Sequence, residues 1–170
     1  MKVYLDTNVI LDLFVNHAKL LVKGINMVMP ENYKFLISQR GNFDFVASVL
    51  TKAEIVRELV SGFGTRKEKI EPIWLDFVAS LNCGFVDRVT IDEDLVEVAY
   101  SIPMRLRTLI NFDHMFVAME EDAYMLSGDK DLIEKSRQLN FHAKVISYSE
   151  FGGLLPVSST SLLFLEYLFA

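Results

Sequence analysis

Lys2-Val3-Tyr4-Leu5-Asp6-Thr7-Asn8-Val9-Ile10-Leu11 is the stretch on which the reading of this chain turns. Lys2–Leu5 is a short apolar run ending at a carboxylate, the pattern of a buried strand. Val9, Ile10, Leu13 and Phe14 follow at helical spacing, so a helix starts straight after the strand. Strands that hand over to helices in this way, repeated along a chain, build a parallel sheet covered on both faces.

The repetition continues. Phe43–Leu50 is rich in aromatic and β-branched residues and predicts a second strand, after which Thr51 opens a helix to about Val60, ended by Gly62 and Gly64. Glu68–Leu81 predicts a helix that tolerates Pro72 near its first turn, and Phe85–Val89 a third strand. Thr90 and Glu93 have capping-box spacing for a helix over Asp92–Leu106, which Pro103 should kink or end. Asp113–Asp122 predicts a helix, Ala123–Leu126 a strand, Lys130–Leu139 a helix and Ala143–Ser147 the last strand. Asn16–Gly41, divided by Pro30, reads as one or two helices. The connections are expected to be right-handed crossovers. With no repeat or linker in view, 1–150 reads as one α/β domain, and 151–170 as a C-terminal extension of it with no assigned role.

Composition narrows the class. The 170 residues suit one domain of about 100–200 residues, and 51% hydrophobic with 24% charged residues is too apolar for disorder. The single cysteine, Cys83, excludes an internal disulfide and points to an intracellular, cytoplasmic setting. One Cys with His17, His114 and His142 offers no zinc-ligand spacing. No secretory leader is expected, and the apolar tail Ser161–Ala170 is short and carries Glu166, so it reads as a buried or interface helix, not a membrane span. The net charge of −6 argues against a general nucleic-acid binder. It does not argue against a nuclease that brings metal ions as its positive charge.

Open parallel sheets work at the carboxyl ends of their strands. The polar residues expected there are Asp6-Thr7-Asn8, Thr51-Lys52-Ala53-Glu54 and Ser127-Gly128-Asp129, with Asp113 opening the helix that leads into the fourth strand. Each acid has a bland reading: Glu54 as capping-box partner of Thr51, Asp113 as N-cap, Asp129 as a loop residue answering free amides. Asp6 resists one, because a carboxylate ending an apolar strand is desolvated unless something compensates it. Several carboxylates at one site repel unless a cation stabilises them, and an oxygen-rich site suits Mg²⁺ or Mn²⁺. Metal-assisted phosphodiester hydrolysis is the chemistry such residues support.

Four segments in order resemble the PIN-domain nucleases: Val3–Asp12, an apolar strand ending in Asp-Thr-Asn; Ser48–Ile55, with Thr51 three residues before Glu54; Asp113–Ala118, an Asp opening an apolar helix; and Ser127–Leu132, a Ser, any residue, then Asp. The resemblance spans Met1 to about Ser147. It implies a three-layer α/β/α sandwich with a central parallel sheet, Mg²⁺ or Mn²⁺ dependence, and cleavage of single-stranded RNA. Asp6, Glu54 and Asp113 would be the central catalytic and metal-binding carboxylates and Asp129 the fourth, with Asp131 as its alternative. Thr7 and Ser127 would orient ligands or water, and Asn8 would brace the loop. The length is similar to VapC-type toxins, which implies a homodimer and an antitoxin protein. Among the basic residues Arg57, Arg66, Lys67, Lys69, Arg105 and Arg107, Arg107 is the one best placed to meet RNA, shortly before Asp113.

Other classes fit less well. A haloacid-dehalogenase-type phosphatase needs a second Asp where Asn8 stands, and a receiver domain needs a Lys at the end of the last strand, whereas Lys144 falls near its start. A catalytically silent PIN-like binding or scaffold module would bear the repulsion of four acids without using a metal.

Overall fold

The computed structural model describes residues 1–87, 106–138 and 144–155, with the backbone alone for 106–109 and 138. Five strands, β1 Lys2–Leu5, β2 Asp44–Ser48, β3 Gly84–Val86, β4 Tyr124–Leu126 and β5 Val145–Ile146, form one sheet in the order β3-β2-β1-β4-β5. Every pairing is parallel. Seven helices are described: α1 Thr7–Lys23, α2 Glu31–Gln39, α3 Val49–Phe63, α4 Lys67–Leu81, α5 Leu106–Glu120, α6 Lys130–Gln138 and α7 Tyr148–Gly153.

Side chains alternate across each strand, and this splits the core into two apolar layers. Val3 and Leu5 of β1, Phe45 and Ala47 of β2, and Ile146 of β5 face α1, α2, α3, α4 and α7. Tyr4, Val46, Met125 and Val145 point the other way, onto Phe112, Met115, Val117 and Ala118 of α5 and Leu132 and Ile133 of α6. The result is a three-layer α/β/α sandwich around an all-parallel sheet. In the first layer the fully buried Phe151 of α7 is ringed by Phe35, Phe43 and Phe45, with the Phe43 ring centroid 4.7 Å away. Burying one such ring stabilises the fold by about 1.5–3 kcal/mol.

Several boundaries depart from the sequence reading, each for a physical reason. The Asn16–Gly41 region is the second half of α1, a connection, and α2; α1 runs on until Gly24 takes a left-handed conformation (φ 65°). The second strand stops at Ser48, because Ser48 caps α3, its Oγ accepting from Thr51 N–H at 3.5 Å. Thr51 therefore lies inside the helix, and Glu54 is no capping-box partner. Asp113 does not open its helix: α5 begins at Leu106, so Asp113 sits at mid-helix. The third strand ends at Val86, and the expected helix over 92–106 lies, but for its last residue, outside the described residues.

Candidate metal centre

Because all strands are parallel, the residues that follow β1 and β4 share one edge of the sheet. The chain moves outward from β1 to β2 and β3, then returns to β4 on the other side of β1. That reversal places the switch point between β1 and β4, where open parallel sheets form ligand crevices. Asp6 and Ser127 flank it.

Asp6 is held from three directions. Its Oδ1 accepts from Thr7 N–H at 2.7 Å, which caps α1. Its Oδ2 accepts from Ser127 Oγ–H and from Asn8 Nδ2–H, both at 2.6 Å. Asn8 ties the two loops further, donating to Ser127 Oγ at 3.1 Å and accepting from Gly128 N–H at 2.7 Å. Only glycine fits position 128 without pushing Asn8, since a Cβ there would stand 3.2 Å from Asn8 Oδ1. Burial pushes the Asp6 carboxyl above the usual range, and His114 with the donors Ser127 and Thr7 offsets this only in part.

Glu54 reaches the same place from the second turn of α3. Its Oε2 accepts from the Thr7 hydroxyl and from His114 Nε2 at 3.0 Å. Burial pushes its pKa up, but the His114 and Thr7 hydrogen bonds win and hold it below the ordinary value. Ligand atoms of Asp6, Glu54 and His114 lie within 4.8 Å of one another. Asp113, on α5 beside His114, is buried with no hydrogen bond or ion pair among the described residues, and burial raises its pKa. It stands outside that 4.8 Å group.

Ser127 also accepts from Asp129 N–H at 3.0 Å. The Asp129 carboxylate caps α6, accepting from Leu132 N–H at 3.1 Å, and lines a cavity of about 270 Å³ with Asn111, Phe112, Met115 and Asp131. Arg107 lies on α5, two turns before Asp113, with its side chain outside the described residues. Arg57 is turned to Glu58, 2.8 Å away. A larger open cavity of about 570 Å³ surrounds Lys2, Asp44 and Glu121 at the opposite edge, where the Lys2–Glu121 ion pair of 2.8 Å already balances charge.

The donor set fits a hard divalent cation. Asp6 is buried and ionisable, Glu54 Oε1 has no hydrogen-bond partner among the described residues, and Asp113 is a desolvated carboxylate likewise without a hydrogen bond among them. Buried carboxylates of this kind are paired, protonated or bound to metal.

The sequence reading missed His114 and Tyr4. His114 is fully buried, and its Nδ1 lies 2.6 Å from the Tyr4 hydroxyl. Tyr4 Oη in turn contacts Ser48 Oγ at 2.6 Å and Thr51 Oγ1 at 3.2 Å. The available signal was a lone histidine next to Asp113 in an apolar helix.

No family model matches the sequence, and no curated protein matches it. Among solved structures, a PilT N-terminus domain protein from the hyperthermophilic archaeon Sulfolobus solfataricus P2 is similar at a TM-score of 0.42 and 14% identity, over 93% of this chain and 98% of that one.

Proposed function

We propose that this chain is a divalent-metal-dependent ribonuclease that hydrolyses phosphodiester bonds in single-stranded RNA. The observation that carries the reading is the cluster of Asp6, Glu54 and His114 beside the β1/β4 switch point, whose ligand atoms lie within 4.8 Å of one another, together with the buried carboxylate of Asp113 next to His114 on α5. The order of the four motifs supports the choice of RNA. When bound, Mg²⁺ or Mn²⁺ supplies activation of water and stabilisation of the departing oxygen. Asp6, Glu54 and Asp113 hold the ion, and Asp129 completes the acidic rim. Thr7 fixes Glu54 through its hydroxyl, Ser127 fixes Asp6, and Asn8 keeps the two loops together. Arg107 meets substrate phosphate. The finer assignments rest on the motif resemblance: a toxin held by an antitoxin protein, homodimeric and cytoplasmic. No helix among the described residues is long and apolar enough to cross a membrane.

A silent scaffold module is the second reading. It is favoured by one feature, the exposed apolar residues Leu21, Val22, Ile25 and Val28 at and beyond the end of α1, which suit a protein partner. Incubating a mixed single-stranded RNA pool with Mg²⁺, Mn²⁺ or EDTA separates the two. The nuclease reading expects metal-dependent cutting that Asp6→Asn abolishes; no cutting under any of the three conditions favours the scaffold, and cutting that survives both EDTA and that substitution contradicts the metal-dependent reading.

A further inference from the structure

We propose that His114 is a positioning residue and not a metal ligand: the Tyr4 hydroxyl holds it as the Nε2–H tautomer, it donates to Glu54 Oε2, and the centre is left with oxygen ligands alone. This inference rests on reading the cluster as a divalent-metal centre.

Proximity by itself makes His114 a ligand candidate, since its ring nitrogen lies within 4.8 Å of ligand atoms of Asp6 and Glu54. An imidazole ligand would tilt the site towards zinc, cobalt or nickel, whereas carboxylates alone suit Mg²⁺ and Mn²⁺. The choice depends on which ring nitrogen carries the proton.

The partner of Nε2 decides it: Glu54 Oε2 is a carboxylate oxygen that only accepts, so the ring nitrogen 3.0 Å from it carries the proton. Thr51 Oγ–H donates to Leu5 carbonyl oxygen at 3.4 Å, so that hydroxyl is committed. Ser48 Oγ accepts from Thr51 N–H and has one acceptor in reach for its own hydrogen, Tyr4 Oη at 2.6 Å. Tyr4 O–H then has two acceptors in reach, Thr51 Oγ1 at 3.2 Å and His114 Nδ1 at 2.6 Å, and with the Nε2 proton given to Glu54 it fills the shorter contact. Nδ1 is the acceptor, so the ring proton sits on Nε2, 3.0 Å from Glu54 Oε2. Every donor in the chain from Ser48 to Glu54 thereby has an acceptor. With the proton on Nδ1 instead, Tyr4 O–H would turn to Thr51 Oγ1, and Nε2 and Glu54 Oε2 would face each other at 3.0 Å with no hydrogen between them. Burial raises the Tyr4 pKa far above the ordinary range, which keeps its hydroxyl a donor.

The arrangement fixes Glu54. Its Oε2 receives both the Thr7 hydroxyl and His114 Nε2–H, which leaves Oε1 to face a cation. Tyr4 and His114 are fully buried, so the relay is shielded from water. Removing hydrogen bonds that orient a ligating carboxylate typically lowers metal affinity roughly tenfold or more.

The direct test is long-range ¹H–¹⁵N correlation of the ¹⁵N-labelled wild type, metal-free and then titrated with Mg²⁺. The expected result is a protonated-type Nε2 and an unprotonated-type Nδ1 for His114, unchanged when Mg²⁺ shifts the amides around Asp6 and Glu54. An Nδ1–H tautomer, or loss of the Nε2 proton on Mg²⁺ addition, overturns this inference alone. Absence of any Mg²⁺-induced shift overturns it together with the metal reading. A variant pair adds an independent readout, with Mn²⁺ as the probe. His114→Gln, which keeps an N–H towards Glu54, is expected to bind Mn²⁺ close to wild type, and His114→Leu roughly tenfold more weakly. Equal loss in two folded variants contradicts the proposal, and if the Leu variant fails to fold the tautomer measurement decides.

Discussion

The Tyr4 hydroxyl lies 2.6 Å from His114 Nδ1, joining the central strand of the sheet to the middle of α5. Ser48 and Thr51 at the start of α3 share the same hydroxyl, and the other face of the imidazole meets Glu54 further along α3. One buried polar chain thus links both sides of the candidate site to the core that supports it. Such a chain specifies geometry when fully satisfied and is costly when broken.

Tyr4→Phe keeps the shape and deletes the hydroxyl, leaving Ser48 Oγ–H and His114 Nδ1 buried without their partner. The expected loss is about 1–3 kcal/mol of stability with the fold retained, measured as a shift in the urea midpoint at unchanged slope. A midpoint equal to wild type would show that the chain is not formed.

Asp113→Asn is expected to behave in the opposite sense. The wild-type carboxylate is buried, has no hydrogen-bond partner among the described residues, and is disfavoured in its charged form. Neutralising it should raise the melting temperature of metal-free protein by a few degrees, roughly 2–4 °C per kcal/mol for a chain of this size, while removing the gain from Mn²⁺. Asp6→Asn lacks this simple benefit, because Asp6 accepts three hydrogen bonds and caps α1. A drop in metal-free melting temperature for Asp113→Asn contradicts the account.

The same shifts set a pH dependence. Burial raises the folded-state pKa of Asp6 and Asp113, so their contribution to stability is complete below the unfolded value of about 4 and is lost as pH rises through the folded pKa. Glu54 runs the other way: burial opposes its charge, but its hydrogen bonds lower the pKa, so its contribution is present above the unfolded value and lost as pH falls through the folded one. The melting-temperature advantage of metal-free Asp113→Asn over wild type should therefore grow from about pH 4 towards neutrality. An advantage that does not change with pH would mean the Asp113 carboxyl is not perturbed. Protons also compete with the cation, so Mn²⁺ affinity should fall on acidification from a higher pH than ordinary carboxylates would give.

Phe151→Ala tests whether α7 belongs to the core. Its ring is fully buried among Phe35, Phe43 and Phe45. The expected cost is about 3–5 kcal/mol, read by denaturant unfolding, and a cost under about 1 kcal/mol would show that α7 docks loosely.

Much of the architecture is legible along the chain because local pattern and burial agree. Val3-Tyr4-Leu5 reads as a two-sided buried strand, and the structure makes it the sheet's centre. Boundaries were harder where one residue serves two purposes. Asp113 has the chemistry of an N-cap but sits at mid-helix, and Val49-Leu50 continue a strand-like run although Ser48 already caps α3. His114 and Tyr4 were illegible as a pair for a different reason. They are 110 positions apart and meet only when the third layer closes on the sheet. By sequence alone, Tyr4 is a core aromatic and His114 a histidine without a metal-ligand spacing.

The most direct test of the central claim, that the switch-point carboxylates hold a divalent cation, is a Mn²⁺ titration of metal-free protein followed by amide line broadening and melting temperature. The account expects saturable broadening centred on Asp6, Glu54 and Asp113, with a rise in melting temperature that Asp113→Asn lacks. No binding at millimolar Mn²⁺, or broadening centred on Asp44, Glu121 and Asp122 at the opposite edge, would contradict it.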